Sequence, residues 1–347
     1  MFQYGRYLLI SSSREGGLPA NLQGKWNNNN APAWRCDYHT DVNLEMNYWL
    51  ADVANLGECF QPFADWIHSI RAVRTEATKT TPFFPACGPV TGSFNGLHRE
   101  SNFLAASLYQ YNFVPDMGVF REQTKPHSGR HYALAGDGGL VMATWPHGGL
   151  PEQCKNAWQF MYFQECMSGF EHSAAALMVS LAKDESDPLL TQGLTVCRAI
   201  HDRYDASRRN PYNEIECSDH YARAMASFGV FIAATGFHCH AGQGLLRFEP
   251  KIGAKDFAGP FIGAGAWGRF SQKHDTTGLS AALDVRFGSL RLTRLELTAP
   301  AAKAATSSVT IAGKAVPHRV ESADGLIAFV LEQPVTLGPG QMLEVKV

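Results

Sequence analysis

The 347-residue chain has no marked excess of charge of either sign: 30 Lys and Arg stand against 32 Asp and Glu, for a formal net charge of -2. That near-balance removes the electrostatic case for nucleic acid or an anionic membrane surface as partner. Nowhere does the sequence run to the roughly 20 consecutive apolar residues that would cross a bilayer. None of its eight cysteines forms a CxxC pair, and their wide spacing in a chain of this size does not call for a disulfide framework. His238, Cys239 and His240 are adjacent rather than spaced as zinc ligands, so no metal is expected. Gly136-Asp137-Gly138-Gly139 is too short for a phosphate loop and lacks the strand-loop-helix setting, so no nucleotide cofactor is expected either. The start of the chain has no basic segment followed by a small-residue cleavage site, which assigns it to the cytoplasm, or to the periplasm or outside if this N-terminus is incomplete.

What is present is a well-hydrophobic composition, 45% hydrophobic against 18% charged, of the kind that builds cores. The seven Trp are unevenly placed: Trp26, Trp34, Trp49 and Trp66 fall in the first segment, several beside Asn, Asp, Arg or His. Flat rings next to hydrogen-bonding groups suit a sugar, whose C–H faces stack while its hydroxyls need directed partners. The competing reading, rings that only fill a core, applies to each one singly.

Periodicity separates the chain into two parts. Residues 4–12 read as a helix, and the Asn- and Trp-rich stretch 20–38 as a structured loop. Residues 43–60 and 63–73 read as helices with Pro62 at the restart. Residues 80–96 read as loop and 110–150 show no sustained helical period. Helical patterns return at 156–182, 187–204 and 219–235, with Gly236 as a stop. After about residue 243 the pattern becomes short alternating strands separated by Gly and Pro. The expected architecture is therefore mainly α: a helical domain over 1–242 followed by a β-sandwich-like domain over 243–347.

Two polar clusters carry chemistry. In the first, Asp37, His39, Asp41 and Asn43 alternate ahead of a helix, so that their side chains project to one side of an extended lead-in. A carboxylate and a carboxamide so placed orient a hydroxyl or a water; equally, they cap the helix and satisfy loop backbone. In the second, Arg208, Arg209, Asn213, Glu214, Glu216, Asp219, His220 and Arg223 crowd into sixteen positions. Glu214 as acceptor and Arg223 as donor would grip one sugar ring; the alternative is a salt-bridged loop pinning helix ends.

The segments FQYGRYLLISSSREGGLPANLQGKWN and WRCDYHTDVNLEMNYWLADVANLGEC, within residues 2–65, resemble the family 95 glycoside hydrolases, α-L-fucosidases and their α-L-galactosidase relatives. The resemblance implies a pair of Asn, separated by one position before MNYW, that helps an Asp activate the attacking water. The second falls on Asn43, whereas the first is Asp41. It also implies sugar contact by His39. From about residue 130 onward, HYALAGDGGLVMATWPHGG, FQECMSGFEHSAAALM and RRNPYNEIECSDHYAR resemble the C-terminal part of family 116, which includes β-glucosidases and β-xylosidases. That second resemblance implies Glu214 and Arg223 at the floor of a glycone pocket. Both families build their sites in an (α/α)6 barrel, and the periodic segments here supply fewer helices than a complete one needs.

Glycoside hydrolysis takes two carboxyl groups, about 5 Å apart for retention or roughly 6.5–9.5 Å for inversion. The catalytic carboxylates of either family have no clear equivalents in this chain. The local candidates are Asp41 as a base working with Asn43, and Glu165 or Glu171 as the acid, with His39, Trp49, Glu214 and Arg223 holding the sugar. The expected function is hydrolysis of terminal β-glucosides or α-L-fucosides. The alternatives are a catalytically incomplete sugar-binding remnant, or a fragment that a second copy of the chain completes.

Overall fold

The computed structural model describes residues 2–38, 43–80, 105–106, 108–118, 134–141, 166–214, 223–263, 265–275, 278–299, 306–323 and 325–347. Helix α1 (Phe2–Ser12) opens the chain. It is followed by a loop and the short helices α2 (Asn43–Tyr48) and α3 (Leu50–Val53), then by the long α4 (Gln61–Thr80). These pack around Leu9, Ala20, Leu44, Tyr48, Ala51, Leu56 and Cys59. Tyr48 ties the group together: its hydroxyl lies 2.7 Å from the Ser13 hydroxyl and accepts from Ala20 N at 2.8 Å, while Ser13 donates to the Cys59 carbonyl.

Where 43–60 was expected as one helix, the chain breaks after Tyr48 and again after Val53. Asn55 takes a left-handed backbone at φ 54°, and Leu56 N reaches back to Ala51 O at 2.7 Å. Restart at Gln61 places Pro62 in the first turn, where its missing N–H leaves no helical bond unmade.

A second helical group contains α5 (Ser168–Leu181), α6 (Pro188–Arg203) and α7 (Ser227–Thr235), packed through Ala175, Met178, Val179, Leu190, Val196, Ile200 and Val230. Asp187 caps α6 by accepting from Leu189 N at 3.0 Å, with Pro188 as its first residue. A two-stranded hairpin, β1 (Phe113–Val114) with β2 (Gly139–Leu140), abuts this group.

From His238 onward the chain is almost all strand: β3 (His238–His240), β4 (Leu245–Phe248), β5 (Asp256–Ile262), β6 (Ala266–Asp275), β7 (Gly278–Gly288), β8 (Leu290–Thr298), β9 (Ser308–Ile311), β10 (Lys314–Ala315), β11 (His318–Ala323), β12 (Leu326–Leu337) and β13 (Met342–Lys346). One sheet has the order β10-β9-β13-β7-β6-β5 and the other β11-β12-β8-β4-β3. Alternating residues of both, including Phe261, Phe270, Leu283 and Val345 from the first and Phe248, Leu297 and Phe329 from the second, meet in one core. At its centre the Phe248 and Phe270 rings stack with centroids 3.8 Å apart.

The expectation of a mainly α chain is corrected: among the described residues helix and strand take comparable shares, with the strands gathered in the C-terminal part. Among the described residues the helices form two packed groups and no closed (α/α)6 ring. The helix expected over 43–60 is broken into pieces, that over 187–204 is present as α6, and that over 63–73 lies within the longer α4; residues 156–165 and 219–222 lie outside the described residues. The alternating C-terminal third forms strand almost throughout its described residues, in a sheet-rich unit of the kind anticipated.

Candidate functional site

The N-terminal end of α5 gathers the polar residues. Ser168, its first residue, is buried and donates a very short hydrogen bond to the buried Glu214 carboxylate. Gly169 follows, and a β-carbon there would lie 2.5 Å from Arg223 Cδ, so the absence of a side chain is what lets the arginine stem cross the helix. The buried Arg223 guanidinium then stands 6.0 Å over the Phe170 ring, with Nη1 3.0 Å from Met46 Sδ.

That last contact joins the two halves of the polypeptide. Met46 belongs to α2, and Asn43, Met46 and Trp49 recur at three-residue spacing through helical backbone, which sets them along one side. Asn43 is half-buried and Trp49 is 37% exposed. On the same helix Asn47 donates to Asn21 O at 3.0 Å, holding the Asn-rich loop against α2. The structure therefore brings Arg223 to the helix of Asn43 and Trp49, and Glu214 to the end of the helix that Arg223 crosses. His39, Asp41 and Glu165 lie outside the described residues.

Glu171 has a different setting from the one expected of a general acid. Its carboxylate takes both Arg203 Nη atoms, one of them at 2.9 Å, and accepts from Leu140 N at 2.7 Å. Both side chains are fully buried, and Arg203 also donates to Gly138 O at 2.8 Å. Burial alone would lower the Arg203 pKa; the Glu171 charge and hydrogen bonds outweigh it and the net direction is up. A β-carbon on Gly139 would lie 2.3 Å from Arg203 Nη1 and 2.7 Å from Glu171 Oε1. Glu171 is thus the clasp that fixes the β1–β2 hairpin to α5 and α6, with both carboxylate oxygens occupied by these partners. Beside it, burial first and the Glu171 charge second push the Cys197 thiol up to about 11.

His172 was not singled out from the sequence. It lies one turn after Ser168 on α5, half-buried, and burial lowers its pKa while the Glu171 and Glu214 charges pull it back. Its spacing of four from Ser168 was the available signal. The neighbouring hairpin loop is fixed separately, by ion pairs from Arg208 (2.7 Å) and Arg209 to the buried Asp137, which identifies those two arginines as structural. Among the described residues no group of three or more His, Cys, Asp or Glu is placed to hold a metal, and no helix is long and apolar enough to cross a membrane.

The arrangement offers a carboxylate acceptor, a guanidinium donor and aromatic surface, the set that grips a neutral polyol. Residues 1–112 match the profile of the glycosyl hydrolase family 95 catalytic domain. A probable α-fucosidase A of Aspergillus niger is 56% identical over 62 residues, 18% of this chain and 8% of that protein. α-L-Fucosidase 2 of Arabidopsis thaliana is 50% identical over 159 residues, 46% of this chain and 15% of that protein. The chain spans 15% or less of the length of either relative. Among solved structures, an α-L-rhamnosidase from Dictyoglumus thermophilum aligns over 53% of this chain and 20% of its own at 11% identity and a TM-score of 0.25, too slight a likeness to carry an argument. These matches support the family 95 resemblance. They lend no support to the family 116 resemblance, to a β-glucoside substrate, or to a non-catalytic or oligomer-completed fragment.

Proposed function

We propose that the chain acts as a glycoside hydrolase on α-L-fucosides, with the sugar held between α2 and the N-terminal end of α5. The observation that carries this reading is the contact of Arg223 with Met46, which links the segment similar to α-fucosidases to the buried Glu214–Ser168 pair. Arg223 donates to ring hydroxyls, Glu214 accepts from them, and Trp49 offers a stacking face.

Hydrolysis adds water across the C1–O bond: the water oxygen bonds to C1, a base takes its proton, and the departing oxygen receives one from an acid. We assign the base to Asp41, with Asn43 orienting the water and His39 contacting the sugar. With Glu171 committed to Arg203, the acid role falls to Glu165.

A panel of aryl α-L-fucoside, α-L-galactoside, β-D-glucoside and β-D-xyloside tests the proposal. Release is expected from the α-L-fucoside, reduced about 10- to 100-fold in kcat/KM by Glu214→Gln or Arg223→Met, as loss of one charged hydrogen bond requires. Glu165→Gln should impair poor leaving groups far more than activated aryl ones. Cleavage of the β-D-glucoside alone, or full activity in both Glu214→Gln and Arg223→Met, would overturn it.

A further inference from the structure

The six-stranded sheet carries an aromatic strip on its outer face, far along the chain from the helices of the proposed site. Trp267 of β6 and Phe287 of β7 are direct cross-strand partners, with ring centroids 5.0 Å apart and planes tilted by 36°. Both are open to solvent, at 55% and 61%, and the exposed Ile262 of β5 pairs with Trp267 on the other side.

This exposure is built by the backbone. Along β7, Leu279, Ala281, Leu283 and Val285 point into the sandwich, and strict alternation would send Phe287 inward after them. The register shifts between Trp267 and Gly268, however: Trp267 faces Phe287 while Gly268 faces Val285, leaving Arg286 as the extra residue of a β-bulge. The bulge reverses the alternation and turns Phe287 to the outside beside Trp267, as bulges do when they re-aim a side chain.

The next row on the same face is polar. Arg269 and Asp284 are cross-strand partners, and Arg286 Nη2 lies 2.6 Å from Asp284 Oδ2. Two guanidiniums and one carboxylate leave a single net positive charge on this row, and present donors and an acceptor at the edge of the rings. Three side chains at the strand spacing of about 4.8 Å make a strip about 10 Å long. That length matches two linked pyranose rings, and three side chains fall far short of the roughly 20–30 residues per side of a stable protein interface.

We propose that Ile262, Trp267 and Phe287 form a binding platform for a neutral, extended oligosaccharide, its sugar faces stacked on the two rings and its hydroxyls reaching the Arg269–Asp284–Arg286 row. The platform is separate from the residues of the proposed fucoside site and does not depend on turnover there.

The test is titration of the full chain with cellohexaose, xylohexaose and mannohexaose, followed by tryptophan fluorescence and by calorimetry. At least one is expected to bind, with affinity reduced about tenfold or more by Trp267→Ala or Phe287→Ala and largely kept by Trp267→Tyr. Because both rings are exposed, thermal melting should be unchanged in these variants, as should any hydrolysis of small aryl fucosides. Absence of binding to all three sugars would overturn the proposal, as would undiminished binding by the Trp267→Ala/Phe287→Ala double variant. A change in oligomeric mass on making that double variant, without a change in sugar binding, would identify the strip as a contact between copies and overturn it too.

Discussion

Glu171 and Glu214 reach the same end of one helix and do opposite things. Glu214 meets the hydroxyl of Ser168, next in sequence to the Gly169 that Arg223 crosses, whereas Glu171 is saturated by Arg203 and a backbone N–H. In the sequence Glu171 sits six positions from Glu165, in the same polar-apolar mixture, and nothing local tells the two apart. The distinguishing partner, Arg203, is 32 residues further on and is recognisable only once α5 and α6 pack side by side. Glu214 and Arg223 could be singled out as candidates because they fall in one dense polar run; His172 stands alone in a helix and offered no such signal. Breaking a buried pair leaves an uncompensated charge, so Glu171→Gln should cost about 3–5 kcal/mol of unfolding free energy in urea titration. Glu171→Leu with Arg203→Met should recover much of that loss. A Glu171→Gln variant that is as stable as the parent but inactive would restore Glu171 to the catalytic candidates.

At the scale of elements, boundaries marked by residues with special backbone or capping chemistry were readable in advance. Pro62 and Gly236 are such markers: α4 begins one residue before the first and α7 ends just before the second. The break of 43–60 into pieces was not readable, since its apolar spacing suits a continuous helix, and the exposed turn at Asn55 places its neighbours Ala54 and Leu56 in the core with Ala51 and Cys59. Gly236 also joins the helical group to the sandwich: it has φ 58°, its carbonyl accepts from Glu249 N, and Lys251 N bonds to Ala234 O. A β-carbon at 236 would fall 2.1 Å from Glu249 O. Gly236→Ala is therefore expected to destabilise by at least about 2 kcal/mol in urea, from the left-handed backbone and the clash together. An unchanged midpoint would mean that the junction is looser than described.

For the whole molecule, the tail was the most legible part. Period-2 alternation such as that of β7 specifies a half-buried strand directly, and the described residues of the tail form the strands β3 to β13, although β11 and β12 do not keep a strict alternation. The helical part was overestimated because apolar spacing shows which face is buried but not where the chain turns away, and ring closure depends on contacts between distant segments. What long-range packing adds is the meeting of α2 with Arg223, which no spacing argument supplies.

The central claim is that Asn43 and Arg223, 180 positions apart, serve one sugar. Calorimetric titration of the intact chain with L-fucose tests it most directly. Binding is expected, weakened about tenfold by Asn43→Ala and by Arg223→Met alike, as loss of one hydrogen-bonding partner implies. Fucose binding that survives either substitution unchanged would show that the two residues do not share a site.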